Sequence, residues 1–390
     1  FGPIWGFRRY ATWTSFISLR GVHEVIRPIT AAVIDDSWAP AVVPPPYDGL
    51  TSEQRKQHLE QHPHSFLHVT RSADASHEHP SEHLRLATEG NAALNELISA
   101  GAYREQDKER LFLQKIEADG VTQRSIIGAI NLAEVEPQPH EAVHPGRVQA
   151  LAAHFRQVRS MSSPVVITSR SDDLDLRLLE ESEATETVTS FAATDGTQIS
   201  LWEINSQLET DLEDLYIVDG HHRIAAAREA NFRELLVAYV PPSELHIGSF
   251  DRDIDEIEFL PRKTIDALTK WCDVRGSSES ESTKPVDKGV LRVRFGDDWF
   301  WAERKEPSGL DSEFVHSVVL PELFGIHEAD DPRLSYRPSG AGIDSTPATI
   351  RLAPAELEDV FDVADANLVM PPKSTYFFPK ARSGVLIISC

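Results

Sequence analysis

Cysteine is nearly missing from this chain: two residues in 390, Cys272 and Cys390. Two thiols build neither a disulfide framework nor a thiolate metal site, and they fit a reducing compartment, so a cytoplasmic protein is expected. Long apolar runs are missing as well. No stretch approaches the roughly 20 apolar residues of a membrane-spanning helix. The first twenty residues mix Arg, Trp, Phe and Ser without an apolar block, so no secretory leader is expected. Positive charge is scarce. Lys and Arg number 38 against 62 Asp and Glu, a formal net charge of −24, and no basic cluster exceeds Arg8-Arg9 in length. Such a surface repels nucleic acid and anionic membranes, and neither is an expected partner. Two phosphate-binding signatures, G-x-x-x-x-G-K-[ST] and G-x-G-x-x-G, are also lacking, which excludes a P-loop or a kinase-type Gly loop.

What remains is a globular composition, 41% hydrophobic and 26% charged, in a chain long enough for two or three domains. Short β-prone runs alternate with helical periods, so the expected fold class is mixed α/β (α+β). Residues 1–20 read as a loosely attached extension, 21–134 as an N-terminal α+β region, 135–245 as a phosphate-binding unit and 246–390 as a C-terminal α+β region. Early strands are expected at Val22–Ile26 and Ala31–Ile34. Three prolines, Pro44 to Pro46, form a stiff segment that presents Tyr47 and Asp48 as candidate substrate contacts. Thr51-Ser-Glu-Gln54 is a capping box for a helix running to about Gln61. A strand is expected at Ser65–Thr70, then a long helix at Ser81–Ala102 with Leu84, Leu94, Leu97 and Ile98 on its apolar face and Gly90 weakening it. Leu111–Glu117 and Gln123–Leu132 flank Asp119-Gly120, the sign of a β-hairpin.

The centre of the sequence is Leu215-Tyr-Ile-Val-Asp-Gly-His-His-Arg-Ile-Ala-Ala-Ala-Arg228. An apolar β-prone run, a glycine and an Ala-rich helical run describe a strand, a tight turn and a helix start. Asp219, Gly220, His221, His222 and Arg223 then gather at a helix N-terminus. Unpaired N–H groups and the dipole favour an anion there, and Arg supplies a forked phosphate donor. An ordinary Asp-Gly turn with two surface histidines is the bland alternative.

Upstream, His140-Glu-Ala-Val-His144 spells the H-E-x-x-H of zinc peptidases. That motif needs both His on one face of a continuous helix. Pro137 and Pro139 precede it and Pro145 follows, which disfavours helix at His144, and the zinc reading falls. What survives is His140-Glu141 in a rigid loop before an amphipathic helix whose buried face is Val148, Leu151, Ala152 and Phe155. Pro164–Thr168 is a buried strand, and 171–195 an acidic insertion whose Asp172–Glu186 stretch is expected to be exposed. Strands follow at Ile199–Ile204 and Leu235–Val240. The scattered histidines at 58, 62, 64, 68, 77, 79 and 83 show no metal-ligand spacing.

Later, Arg275–Asp287 reads as a flexible loop, Val290–Phe295 and Trp299–Glu303 as a hairpin, Phe314–Phe324 as a helix broken near Pro321, and Pro354–Asn367 as an amphipathic helix. The end, Met370-Pro-Pro-Lys-Ser-Thr-Tyr-Phe-Phe-Pro-Lys-Ala-Arg-Ser-Gly384, crowds Lys373, Ser374, Thr375, Lys380 and Arg382 among prolines and aromatics. In so acidic a chain a rigid cationic loop suggests an anion.

Pro-Pro-Tyr-Asp48, His140-Glu141, Asp219-Gly-His-His-Arg223 and Met370-Pro-Pro-Lys-Ser-Thr375 together resemble a large prokaryotic family of unknown function across residues 25–388. Within it, His140-Glu141, Arg147-Val148, Pro164-Val-Val-Ile167 and Asp219–Arg223 are similar to free L-serine kinases of the ParB/sulfiredoxin superfamily. The resemblance implies a small α/β nucleotide-binding unit embedded in a larger mixed-sheet protein. It also implies transfer of phosphate from ATP or ADP to free serine, giving O-phosphoserine. In that picture Glu141 takes the hydroxyl proton with His140 beside it. Asp219 to Arg223 hold phosphates, with Asp219 on Mg²⁺. Lys373, Ser374, Thr375 and Arg382 bind phosphate from the C-terminal loop. Sulfiredoxin chemistry needs a cysteine where His221 stands and is excluded. The alternative is a nucleotide-sensing protein that uses the same turn without turnover.

Overall fold

A computed structural model describes residues 25–46, 50–70, 79–171, 176–204, 212, 214–257, 261–278, 284–339 and 346–390. Tyr47, Asp48, His77 and residues 22–24 of the first expected strand lie outside them. The described chain divides into two compact units, residues 25–245 with 379–390, and residues 246–378.

The first unit opens with β1 (Ala32–Ile34), α1 (Ala39–Val42), α2 (Ser52–Gln61), α3 (Leu67–Thr70) and α4 (Pro80–Ser99). The predicted capping box is present: Gln54 N–H donates to Thr51 Oγ1 and Thr51 N–H to Gln54 Oε1. After β2 (Tyr103–Glu105), β3 (Leu111–Ala118) and β4 (Val121–Asn131) form the expected hairpin, with Asp119 at φ 51° and Gly120 at φ 77°. Both turn residues take the left-handed conformation that a tight hairpin requires. Then come α5 (Pro145–Val158), β5 (Ser160–Met161), β6 (Val165–Ser169), α6 (Leu176–Glu183), β7 (Thr189–Ala192), β8 (Gln198–Ile204), β9 (Leu215–Asp219), α7 (His221–Glu229) and β10 (Glu234–Tyr239). A seven-stranded sheet runs β7-β8-β3-β4-β10-β6-β9. β6 is parallel to β10 and antiparallel to β9, so α7 carries the chain across β6 from one neighbour to the other. The inner strands β6 and β10 are apolar on both faces, as Val165, Val166, Leu236 and Val237 show, all buried, and each fully buried large side chain contributes about 1.5–3 kcal/mol.

Three local expectations change. Ser65–Thr70, read as a strand, instead carries the helical turn α3. Ser65 Oγ accepts the Leu67 N–H at 3.3 Å, and Phe66, Leu67 and Val69 all turn inward. On α4, Leu84 and Ile98 are 56% and 45% exposed, and the buried face is Leu86, Ala87, Gly90, Leu94 and Leu97. Gly90 is a packing site, not a weakness: a β-carbon there would run into the Val69 carbonyl. Within Asp172–Glu186, residues 176–183 are not exposed coil but α6. Leu179 is 1% exposed, and Glu183 pairs with Arg124 at 2.5 Å and Lys115 at 3.4 Å.

The second unit holds β11 (His246–Gly248), β12 (Phe250–Ile254), β13 (Cys272–Ser277), β14 (Val290–Phe295), β15 (Asp298–Arg304), β16 (Leu334–Pro338), β17 (Ala348–Leu352) and β18 (Tyr376–Phe378). Six of these form the sheet β13-β15-β14-β17-β12-β16. β13 takes residues 272–277, so the expected loop at Arg275 begins later. Over its apolar face lies a helical stretch, Asp311–Phe314, Val315–Val319 and Leu320–Phe324, whose middle segment is a π-turn. Pro321 lacks an N–H, and the wider turn lies just ahead of it. The chain returns to the first unit with β19 (Leu386–Ser389), which pairs with β1 and β5. No helix among the described residues is long and apolar enough to cross a membrane.

The Gly90 contact gives a test. Gly90→Ala raises intrinsic helix propensity yet forces α4 off α3, and it is expected to destabilise the protein by about 1–3 kcal/mol. A denaturation midpoint unchanged or raised by this substitution would contradict the close approach.

Candidate functional site

Two backbone hydrogen bonds decide where the site forms. Gln138, between Pro137 and Pro139, donates its N–H to Leu215 O at 2.7 Å and accepts the Ile217 N–H at 2.9 Å. This short parallel bridge lies beside β9 and sets His140-Glu141 next to the end of that strand. The pairing of β6 with β9 also changes register between Val166 and Ile167, and such irregularities often re-aim side chains near functional sites.

Gly220 then makes the turn at φ 102°, a conformation that costs other residues dearly. A β-carbon on it would stand 2.9 Å from Arg223 Nε, because the Arg223 side chain folds back over the turn. From there Arg223 donates to the Pro164 carbonyl at 2.5 Å and to Asp219 Oδ2. The other oxygen, Asp219 Oδ1, takes a 2.8 Å bond from Lys380 Nζ, 161 residues away. Lys380 is held there by the segment that leads into β19. Ser383 Oγ meets Ser163 Oγ at 2.5 Å, and Gly384 N–H donates to Ser162 O at 3.3 Å. Burial alone raises the Asp219 carboxyl, but Lys380 and then Arg223 outweigh it and hold the group well below the usual carboxylate range. α7 has no capping side chain at its start.

The histidines stand round this carboxylate. His140 and His221 are 0% and 3% exposed, with rings edge to face at 4.6 Å between centroids. The His140 N–H donates to His221 Nε2 at 3.4 Å, so His221 carries its proton on Nδ1, which faces Glu141 Oε2 at 3.7 Å. The His144 N–H donates to His222 Nε2 at 3.0 Å. Burial pushes His140 down to about 4 and His221 well below the ordinary value. His222 falls to about 4 through burial, then through the neighbouring Arg147 and His144. All three are neutral near pH 7, and Glu141 beside the turn is one-third exposed.

His140, Glu141, Asp219, His221, His222 and Arg223 are thus brought together. Arg382 goes elsewhere: it is buried against Asp195 at 2.6 Å, Thr197 at 2.7 Å and the Pro44 carbonyl at 3.0 Å. Lys373, Ser374 and Thr375 belong to the second unit, where the Lys373 carbonyl accepts from Arg252 at 3.2 Å and Ser374 Oγ donates to Pro371 O at 2.7 Å. Lys380, named in the cationic loop but given no role at the turn, is the cation that reaches it. It sits in the same cationic loop, and no local signal ranks it above Lys373 or Arg382. His144 stands at the N-cap of α5 without a capping bond and His140 lies in the loop before it, so the two His of H-E-x-x-H share no helix face. No cluster of three or more His, Cys, Asp or Glu among the described residues is placed to hold a metal ion. Both Asp219 oxygens are bonded to cations, so the donors at the turn do not fit a resident Mg²⁺. His58 and His62 stack at 4.1 Å, and His58 bonds Ser65 at 3.1 Å, a structural use of the His-rich segment.

The neutral histidines give a pH signature. His140 and the buried His154 both titrate near 4 in the folded protein, below the ordinary 6.5. As pH falls from 6.5 towards 4, the unfolded chain takes up protons that the folded one refuses, so stability is present above 6.5 and is lost on the way down. Each tenfold drop in a histidine's proton affinity on folding corresponds to about 1.4 kcal/mol, so a loss of several kcal/mol is expected. A thermal midpoint that stays flat between pH 6.5 and 4 would contradict it.

No curated protein matches the chain. Among solved structures, a free serine kinase variant in complex with AMP covers 66% of this chain and 90% of its own, at 14% identity and a TM-score of 0.39. SbnI with a C-terminal truncation, from Staphylococcus aureus, covers 64% and 82% at 10% identity and a TM-score of 0.40. A conserved hypothetical protein from Pyrococcus furiosus covers 66% and 93% at 14% identity and a TM-score of 0.37. The match that places the chain is one of sequence: residues 26–323 fit the family described as "Protein of unknown function (DUF1015)", and the protein belongs to that family.

Proposed function

We propose that this protein is a nucleotide-dependent phosphotransferase, with ATP or ADP as donor and free L-serine as acceptor. The observation that carries the reading is the 3.7 Å approach of Glu141 Oε2 to His221, which sets a partly exposed carboxylate beside a cationic turn. Phosphoryl transfer demands positioning and charge neutralisation more than covalent chemistry by the protein. The uncapped start of α7 offers N–H groups and a positive dipole end to a phosphate. Arg223 and Lys380 offer two cations, already gathered by Asp219.

In the reaction, the serine hydroxyl oxygen attacks the terminal phosphorus while its proton passes to Glu141 Oε2. The bond from that phosphorus to the bridging oxygen breaks, and the nucleotide leaves one phosphate shorter with the electron pair. Neutral His221 keeps its Nδ1–H towards Glu141 at 3.7 Å, which orients the carboxylate. The resemblance of Asp219–Arg223 and His140-Glu141 to free L-serine kinases supports the choice of acceptor. Mg²⁺ enters the assay with the nucleotide.

Purified protein with nucleotide, Mg²⁺ and L-serine is expected to form O-phosphoserine. Glu141→Gln should lower kcat by about 10²–10⁴-fold, the range of general-base catalysis, while nucleotide affinity stays within a few-fold. Lys380→Met should instead weaken nucleotide binding by about tenfold or more, as loss of a charge-assisted phosphate contact does. If Glu141→Gln and wild type bind nucleotide alike and neither transfers phosphate across a panel of hydroxyl acceptors, the protein is a nucleotide sensor and the kinase reading fails.

A further inference from the structure

A strongly cationic concavity of the first unit lies away from the candidate site. A pocket of about 770 Å³ opens where α5 and α7 end and β4, β10 and β19 meet, and four arginines line it: Arg27, Arg156, Arg159 and Arg233. Glu234 is the one acidic residue among the described residues of its wall. Two of the four are ion-paired, Arg27 with Glu134 and Arg156 with Glu229 at 3.7 Å. The volume lies inside the range of small-ligand sites.

An ordinary structural use explains two of the four. Arg156, in the last turn of α5, donates to the Glu229 carbonyl, as a cation at a helix C-terminus should, and Arg27 pairs with Glu134. Arg159, the C-cap residue of α5, shares that helix-end position, whereas Arg233 has no such use. Among the described residues, no Asp or Glu oxygen stands within the 4.0 Å of an ion pair to either guanidinium. Arg159 is moreover held in the left-handed conformation at φ 54°, where its carbonyl receives the Cys390 N–H at 2.9 Å. Glycine or asparagine would take that backbone at lower cost. The fold nevertheless places an arginine there, in the wall of the cavity.

We infer that this pocket binds a small phosphate anion carrying several negative charges, gripped by Arg159 and Arg233 with Arg27 and Arg156 beside them. Guanidinium forks match phosphate oxygens in pairs, and four of them suit an oligophosphate better than a single inorganic phosphate. The site is separate from the turn at Asp219. It sits at the C-terminal ends of α5 and α7, whose N-terminal ends carry His144 and His221, and the nine residues of α7 span roughly 13 Å at 1.5 Å per residue.

Calorimetric titration of the full chain with inorganic tripolyphosphate at low salt tests the assignment, because this probe lacks a nucleoside. Saturable binding that weakens as salt rises is expected, and Arg159→Gln/Arg233→Gln should weaken it tenfold or more. Both residues are exposed, so the double variant should keep the wild-type circular dichroism spectrum. Arg223→Gln, which alters the turn, should leave the pocket affinity within about twofold. The inference is overturned if the wild type binds no tripolyphosphate or if the double variant binds it unchanged. It is equally overturned if Arg223→Gln alone abolishes binding. Citrate at matched charge separates the ligand classes: binding as tight as tripolyphosphate's would defeat the assignment to phosphate.

Discussion

One carboxylate organises the candidate site. Asp219 ends an edge strand and receives Arg223 from the helix that follows and Lys380 from the far end of the chain. Removing both cations would leave a partly buried charge uncompensated, a loss of about 3–5 kcal/mol where such pairs have been broken. The same pairing draws three separate stretches to one point: the end of β9, the start of α7 and the segment before β19. Gly220 is what permits it, since only a residue without a β-carbon leaves room for Arg223 to fold back over the turn. A structure built on this contact concentrates positive charge at a helix N-terminus inside a strongly acidic protein.

Burial divides the labour among the remaining groups. His140, His221 and His222 are pushed below their ordinary range and act as neutral hydrogen-bonding rings, two of them accepting backbone N–H groups from the His140–His144 loop. They lock that loop onto α7. Glu141, by contrast, keeps a third of its side chain exposed. Two groups adjacent in sequence thus have opposite characters, because one side chain points into the core and the next points out of it.

Much of the fold was legible. The Asp119-Gly120 hairpin, the Thr51 capping box, the strand-turn-helix at Asp219 and the amphipathic α5 all rest on local chemistry that the structure repeats. The misreadings have a common cause. Ser65–Thr70 has a β-prone composition, but a glycine 20 residues later lets α4 pack against it as a helical turn. The stretch before Glu186 is acidic, but Glu183 finds Lys115 and Arg124, and Leu179 finds the core. In each case partners distant in sequence overrode a local preference worth only tenths of a kcal/mol per residue.

The sequence by itself determined the mixed α/β class, the position of the tight turn and the residue types that would meet an anion there, because turn geometry and helix starts depend on neighbours within four or five residues. Tertiary structure decided which cation serves the turn. Lys373, Lys380 and Arg382 are alike to any local test, yet Lys380 reaches Asp219 while Arg382 is buried against Asp195. It also decided that Glu141 stands beside His221, through two backbone hydrogen bonds at Gln138. A hydrogen bond between backbone groups nearly 80 residues apart has no signature in either side chain, and only the folded chain can place it.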